Sequence, residues 1–259
     1  MKKRLFVRVA LSGFMLLLAG SVVAQAAEIK VLVSPGFVPV LQDLGPKFER
    51  ATGHKLAFSG ASLGAIVKRV YDGELYDVVL SPRSAIEGFV KGGKATAGNV
   101  TAVASAGMGV AVRASAATPD VSSPEALKRA LLAARSISYP NPKNPLGNPE
   151  LGIHVERVLA RLEITDQMKS KTVFSSSNDV GALLASGEAE VGIGQLQNLG
   201  RAVGIAIVGP LPGDLQQVIV FAGVILPGVR DAEAAKAFVD FMRTPEAAAV
   251  MKTHRLDPP

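Results

Sequence analysis

The stretch that decides the fold is residues 29–53, which read IKVLVSPGFVPVLQDLGPKFERATG. Residues 29–34 are rich in β-branched side chains and end at the Pro35-Gly36 turn, which predicts a strand followed by a tight loop. Apolar side chains then recur at positions 37, 40, 41, 44 and 48, the spacing of one helix face. Gly53 suits the left-handed residue that ends such a helix. The stretch therefore predicts strand, short loop and helix in that order.

The same order recurs along the chain. Strands are predicted at 55–58 and 76–81, and helices follow from 63 and from 82. A repeated strand–loop–helix order predicts a parallel sheet with helices on both faces. The pattern returns within residues 108–194, around a loop at 140–149 that has four prolines in ten positions.

Composition excludes several classes of protein. The 259 residues are 48% hydrophobic and 19% charged, which is typical of a globular chain with a real core. The charge of +6 comes from 28 basic and 22 acidic residues, but four of the basic ones lie in the first 26 residues. The remaining 24 basic and 22 acidic side chains leave +2, which is no footprint for nucleic acid.

The first 26 residues have the pattern of a secretory signal peptide. A basic start is followed by an apolar stretch and by Ala24-Gln25-Ala26, a small-x-small site, so we expect cleavage before Ala27. Ser12 and Gly13 interrupt the apolar stretch, which argues against a membrane anchor. The chain has no Cys, which excludes disulfides and thiolate metal sites. These features predict a periplasmic monomer that is not inserted in the membrane after cleavage.

Candidate ligand contacts lie where predicted strands end. Ligands of open α/β sheets bind at the carboxyl ends of strands, where helix N-termini offer free N–H groups to anions. Ser34 and Ser62 stand at such positions, although each could serve only as a helix cap. Arg83 and Lys143 could contact an anionic ligand, or could be ordinary surface cations.

Five stretches, in order and spacing, carry a resemblance to a known family. Over them the chain resembles the periplasmic molybdate-binding proteins and their relatives, and the stretches are residues 29–53, 59–81, 147–164, 187–193 and 231–245. The resemblance implies an α/β, two-lobed type 2 periplasmic-binding-protein fold with the ligand cleft between the lobes. It places the first lobe at residues 27–108 plus 215–259 and the second at 109–214, with the last segment packed on the first lobe.

The family's oxyanion pattern carries over only in part. Ser62 matches a hydroxyl position, with Ser59 as the alternative if the alignment shifts. Gly36 stands where those relatives carry a serine, and Gln195 where they carry a tyrosine. The Ser-x-Gly-Phe opening at 34–37, together with Pro46-x-Phe48-Glu49, is similar to the branch that includes periplasmic aconitate isomerase. That similarity implies a tricarboxylate ligand in place of molybdate or tungstate.

Two functions remain open from the sequence. One is a solute-binding protein for a small anion, an oxyanion or an organic polycarboxylate, that serves an ABC permease. The other is an aconitate isomerase that works by proton shift, in which His154 would be the catalytic acid or base; its alternative role is packing. The three dispersed His residues predict no metal site, and no cofactor is expected. The expected ligand contacts are Ser34, Gly36, Phe37, Ser59, Ser62, Arg83, Lys143, Val180 and Gln195.

Overall fold

The computed structural model describes residues 26–145, 148–176 and 179–259. The predicted signal peptide therefore lies outside the described residues, except for Ala26. The strands are β1 Glu28–Val33, β2 Lys55–Gly60, β3 Val78–Pro82, β4 Val100–Arg113, β5 Ile137–Pro140, β6 Thr172–Ser175, β7 Val191–Gln195, β8 Ile205–Pro210 and β9 Val218–Ile225. The helices are α1 Val38–Thr52, α2 Leu63–Asp72, α3 Arg83–Lys91, α4 Pro124–Ala133, α5 Pro149–Arg161, α6 Thr165–Lys169, α7 Val180–Ser186, α8 Leu196–Leu199, α9 Ala232–Phe241 and α10 Pro245–Thr253.

The long strand β4 joins two lobes. Its residues 100–107 pair with β9 in the first lobe, whose strand order is β2-β1-β3-β9-β4. From Met108 onward β4 pairs with β7 and β8 in the second lobe, which continues to β5 and β6. The chain returns through a 3-10 turn at Gly213–Leu215 and enters β9 at Val218. The sequence predicts lobe boundaries at 108/109 and 214/215, which assigns Leu215 to the first lobe. In the structure, Leu215 packs in the core of the second lobe.

The sheet is mixed, which corrects the prediction of a parallel sheet. β1 runs parallel to β2 and β3, and β5 runs parallel to β6 and β7. β9, however, is antiparallel to β3 and β4, and β4 is antiparallel to β7 and β8. β4 carries the chain from the first lobe into the second, and β9 begins where the chain re-enters the first lobe, so these two paired strands run in opposite directions.

Separate apolar cores hold the lobes. In the first lobe, Phe48 of α1 makes edge-on contacts with Phe238 and Phe241 of α9, with ring centroids 5.5 Å apart in each pair. The C-terminal helices therefore pack on the first lobe, as the resemblance implied. In the second lobe, α4 and α5 pack around β5 and β7 through Leu127, Val155 and Ile193, all fully buried. The predicted two-lobed α/β fold is confirmed.

No helix among the described residues has the length and the apolar run that a membrane crossing requires.

Candidate ligand-binding cleft

A cleft of about 450 Å³ lies where the two lobes meet. Its walls come from strand ends and helix starts of both lobes. The lining residues are Ser34, Pro35, Gly36, Ser62, Leu63, Pro82 and Phe221 from the first lobe and Asn148, Asp179, Ala182, Ala185, Gln195, Gln197, Asn198, Arg201, Ala202 and Val203 from the second.

The first-lobe wall is made of short side chains and backbone. Ser34 follows β1, its N–H donates to Leu80 O at 3.0 Å, and its hydroxyl lies 3.5 Å from that of Ser81. Gly36 lies in the 3-10 turn Pro35–Phe37 that leads into α1. Ser62 is the N-cap of α2, where its Oγ accepts from Ala65 N at 3.4 Å. Helix starts of this kind present N–H groups that favour anions.

The second-lobe wall is made of amide side chains. Gln195 ends β7, and Gln197 and Asn198 follow at once in α8. Asn198 Nδ2 donates to Gln195 Oε1 at 3.0 Å. Gln195 Nε2 and Gln197 Oε1 are buried, and neither finds a hydrogen-bond partner within the described ranges. Both glutamines are only 4% exposed, so these amides are buried in the wall of the cleft.

Two charged groups complete the lining. Asp179 caps α7 and accepts from Ala182 N at 3.2 Å, so part of its charge is compensated by the helix start. Arg201 is exposed on the turn after α8, and in the part of the chain that the structure describes its guanidinium forms no ion pair. Arg201 is therefore the cation that can meet a negative ligand at the cleft.

The lobes also approach each other closely beside the cleft. A methyl group placed on Gly36 would lie 3.0 Å from Asn198 Oδ1 and 3.1 Å from Gln197 Cγ, so only a glycine allows this close approach without displacement. At the rim, Ser84 Oγ donates to Glu150 Oε2 at 3.2 Å, which links α3 to the start of α5. The first-lobe wall and the second-lobe wall therefore contact each other at Gly36.

Four of the predicted contact residues line the cleft together: Ser34, Gly36, Ser62 and Gln195. The alternative Ser59 lies in β2, where its hydroxyl is 3.4 Å from that of Tyr76.

Four others lie outside the lining. Phe37 is fully buried and packs edge-on against Phe221, 5.1 Å between centroids, because it faces the core beneath the 3-10 turn. Val180 is buried in a small core around α7. Arg83 Nε donates to Glu87 Oε1 at 2.9 Å along α3. Lys143 is exposed in its loop, where its N–H donates to Asn141 Oδ1.

His154 also lies outside the lining. Its Nε2 is 2.9 Å from Leu215 O, which accepts a hydrogen bond when this nitrogen carries the proton. The bond ties α5 to the turn at Gly213–Leu215, so the geometry gives His154 a packing contact in the second lobe. In the described ranges, no group of three or more His, Asp or Glu side chains could hold a metal ion.

Sequence reasoning missed Gln197, Asn198, Asp179 and Arg201. A signal was present for the first two, since the polar pair comes just after the apolar strand Val191–Gln195 at its carboxyl end. Asp179 also carried a signal, because an Asp directly before an apolar run is typical of a helix N-cap. Arg201 carried none, because it lies on the turn after a four-residue helix whose course the pattern does not fix.

Comparison with known proteins agrees with this architecture. Residues 29–254 match the family described as bacterial extracellular solute-binding protein. The chain is 30% identical over 252 residues to an aconitate isomerase from Pseudomonas sp, covering 94% of both chains. It is 32% identical over 236 residues to a molybdate-binding protein from Azotobacter vinelandii, covering 89% of this chain and 90% of the relative.

A solved structure agrees as well. The Azotobacter vinelandii periplasmic molybdate-binding protein superposes with a TM-score of 0.71 over 89% of this chain and 99% of that one, with 24% of residues identical. The two-lobed sheet and the match over nearly the whole length lead to one conclusion. The chain belongs to the bacterial extracellular solute-binding protein family, among the relatives of the molybdate-binding proteins and aconitate isomerase.

Proposed function

We propose that the protein binds a small organic polycarboxylate in the cleft and carries it to an ABC importer. The observation that carries this proposal is a cleft of about 450 Å³ whose lining combines hydroxyls, amides and an arginine. Cavities for small organic ligands have about 300–1,000 Å³. A single tetrahedral oxyanion is much smaller than this cleft.

The lining suits carboxylates in charge as well as in size. Ser62 and the first turn of α2 offer a hydroxyl and N–H groups, and Arg201 offers a planar guanidinium without an acidic partner among the described residues. Arginine matches a carboxylate with two parallel hydrogen bonds. An anion with two or three carboxylates has one group to offer to the helix start of the first lobe and another to offer to Arg201 of the second lobe.

Export of the protein and delivery of its ligand to a permease are part of the same proposal. The family is extracellular, and residues 1–26 have the pattern of a cleaved signal peptide. We place the mature protein in the periplasm as a monomer that starts at Ala27. Lobe closure over the ligand would present the bound form to a permease.

Calorimetry of the protein starting at Ala27 tests the proposal. The panel is citrate, tricarballylate, trans-aconitate, cis-aconitate, malate and succinate, against molybdate, tungstate and sulfate. We expect at least one polycarboxylate to bind more tightly than the three oxyanions, and to raise the unfolding temperature in proportion to its affinity. Tight binding of molybdate with no heat from the organic acids would overturn the proposal.

Arg201→Ala should weaken binding of the best polycarboxylate. Loss of a charge-assisted hydrogen bond costs about 1.5–3 kcal/mol, which is roughly a ten- to hundredfold loss of affinity. The control is Arg243→Ala, which removes an exposed arginine beyond α9 that does not line the cleft. Arg83→Ala, measured beside them, tests the sequence-based prediction: full affinity in that variant would contradict a ligand role for Arg83.

Isomerisation of aconitate is the second candidate, favoured by the 30% identical relative that covers 94% of the chain. Asp179 is the carboxylate among the described lining residues. A base there would take a proton from the methylene carbon, the double bond would shift, and the proton would return to the former vinyl carbon, which regenerates aconitate with either geometry. Proton NMR of trans-aconitate incubated with the protein tests this, since binding without formation of the cis isomer leaves the first candidate alone.

A further inference from the structure

Two buried glutamine amides in the second-lobe wall lack the partners that buried amides require. We name Gln195 and Gln197 the amide pair. Each is 4% exposed, and both line the cleft. Nearly all buried polar side-chain atoms in proteins are hydrogen-bonded, because an unpaired one keeps the full cost of its desolvation. The amide pair therefore has two polar atoms whose hydrogen bonds are not supplied by the described part of the chain.

The surroundings fix which atoms each amide offers. Gln195 Oε1 accepts from Asn198 Nδ2 at 3.0 Å, so its Nε2 donor is the end without a partner. Gln197 Nε2 lies on the side of Gly36, 3.5 Å from where a Cβ of that glycine would stand. Its Oε1 acceptor is the buried end that lacks a partner in the described part of the chain. The amide pair thus presents one donor and one acceptor.

We infer that the amide pair binds a hydroxyl group of the ligand, so that the site selects a hydroxy-polycarboxylate over the same acid without its hydroxyl. The inference rests on the proposed function, because it assumes a polycarboxylate in the cleft. A hydroxyl both accepts and donates, so its chemistry matches one unpaired amide donor, Gln195 Nε2, and one unpaired amide acceptor, Gln197 Oε1. An ionised carboxylate only accepts, so it would leave Gln197 Oε1 unsatisfied.

Gly36 explains how such a ligand would be enclosed. Its loop covers Gln197 from the first lobe, and a side chain there would meet Gln197 and Asn198 at about 3 Å. The ligand would therefore enter while the lobes are apart, and closure would bury its hydroxyl against the amide pair. Burial makes discrimination stronger, since a missing hydroxyl then leaves two protein groups unpaired without access to water.

The test compares two pairs of acids that differ in one hydroxyl: citrate with tricarballylate, and malate with succinate. Calorimetry of the wild-type protein starting at Ala27 measures both acids of each pair. In a pair that binds, we expect the hydroxylated acid to bind at least about tenfold more tightly than the acid without the hydroxyl. Gln197→Met, which keeps the length of the side chain but removes its acceptor, should reduce that ratio to about one by weakening the hydroxylated acid. Gln195→Met should act in the same direction.

A matched control separates this effect from general loss of packing. Gln217 Oε1 is also buried without a partner within the described ranges, but Gln217 does not line the cleft, so Gln217→Met should keep the wild-type ratio. Thermal unfolding checks that each variant is folded. Equal binding of both members by the wild-type protein would overturn the inference and leave polycarboxylate binding intact. If none of these four acids binds but an aconitate does, the inference fails and the proposed function stands; if no acid of the whole panel binds, both fail.

Discussion

The two walls of the cleft are built on different principles. The first-lobe wall uses Ser34, Gly36 and Ser62, which act through short side chains and through backbone at strand ends and helix starts. The second-lobe wall uses the amides of Gln195 and Gln197, together with other long polar side chains that fill the space. Backbone and hydroxyls can hold many anions, whereas buried amides with fixed donors and acceptors can choose among them. The comparison suggests that the first wall supplies affinity for negative charge and the second wall supplies selectivity.

The largest expected effect tests whether the first wall depends on the core beneath it. Phe37 is fully buried against Phe221, so Phe37→Ala should lower the free energy of unfolding by about 3–5 kcal/mol. Urea denaturation measures it, and Phe174→Ala, at a ring that is 44% exposed, is the control with a smaller expected loss. Unchanged stability with a large loss of affinity would instead support the sequence-based prediction that Phe37 contacts ligand.

An effect of intermediate size on ligand affinity tests whether binding requires contact between the two walls. Gly36→Val should crowd Gln197 and Asn198, and overpacking costs about 1–3 kcal/mol, or roughly a 5- to 150-fold loss of affinity if the cost falls on lobe closure. Gly98 is the matched control, because it is also the middle residue of a 3-10 turn and a Cβ there would meet nothing within 4 Å. Gly36→Val with full affinity would show that ligand binding does not need this contact.

The difference between the two walls of the cleft also explains which features could be predicted from the sequence. The strand–loop–helix order puts Ser34 after a strand and Ser62 at a helix start, which is where the structure has them, because period and turn residues locate strand ends and helix starts. Residues 100–107, VTAVASAG, were not predicted as strand, since most of them are small residues with little β preference and their pairing with β9 is a long-range contact. Arg201 was missed for a similar reason: the short helix α8 and the turn after it depend on packing between elements.

The direction of a side chain is also beyond the periodic pattern. Arg83 begins α3 as expected, but its guanidinium pairs with Glu87 one turn on, and that i,i+4 contact competes with any reach toward the cleft. His154 lies on the first turns of α5, yet its ring nitrogen meets the carbonyl of Leu215, which is distant in sequence. Predicting these placements requires the helix rotation that tertiary packing sets.

The smallest expected effect separates capping from ligand binding in the first wall. Ser62 caps α2 through Ala65 N, and Ser123 caps α4 in the same way through Ala126 N, away from the cleft. Replacing an N-cap serine by alanine costs about 0.5–2 kcal/mol, so both Ser62→Ala and Ser123→Ala should lower the free energy of unfolding by similar amounts in urea. Only Ser62→Ala should also weaken the best polycarboxylate, by roughly five- to tenfold for one hydrogen bond. If affinity falls equally in both variants, the loss reflects helix stability, and Ser62 would be a cap and no more. A second outcome is that affinity falls only in Ser62→Ala, and falls equally for the hydroxylated and the non-hydroxylated acids. The first wall would then bind negative charge without selecting among ligands, and selectivity would come from the second wall.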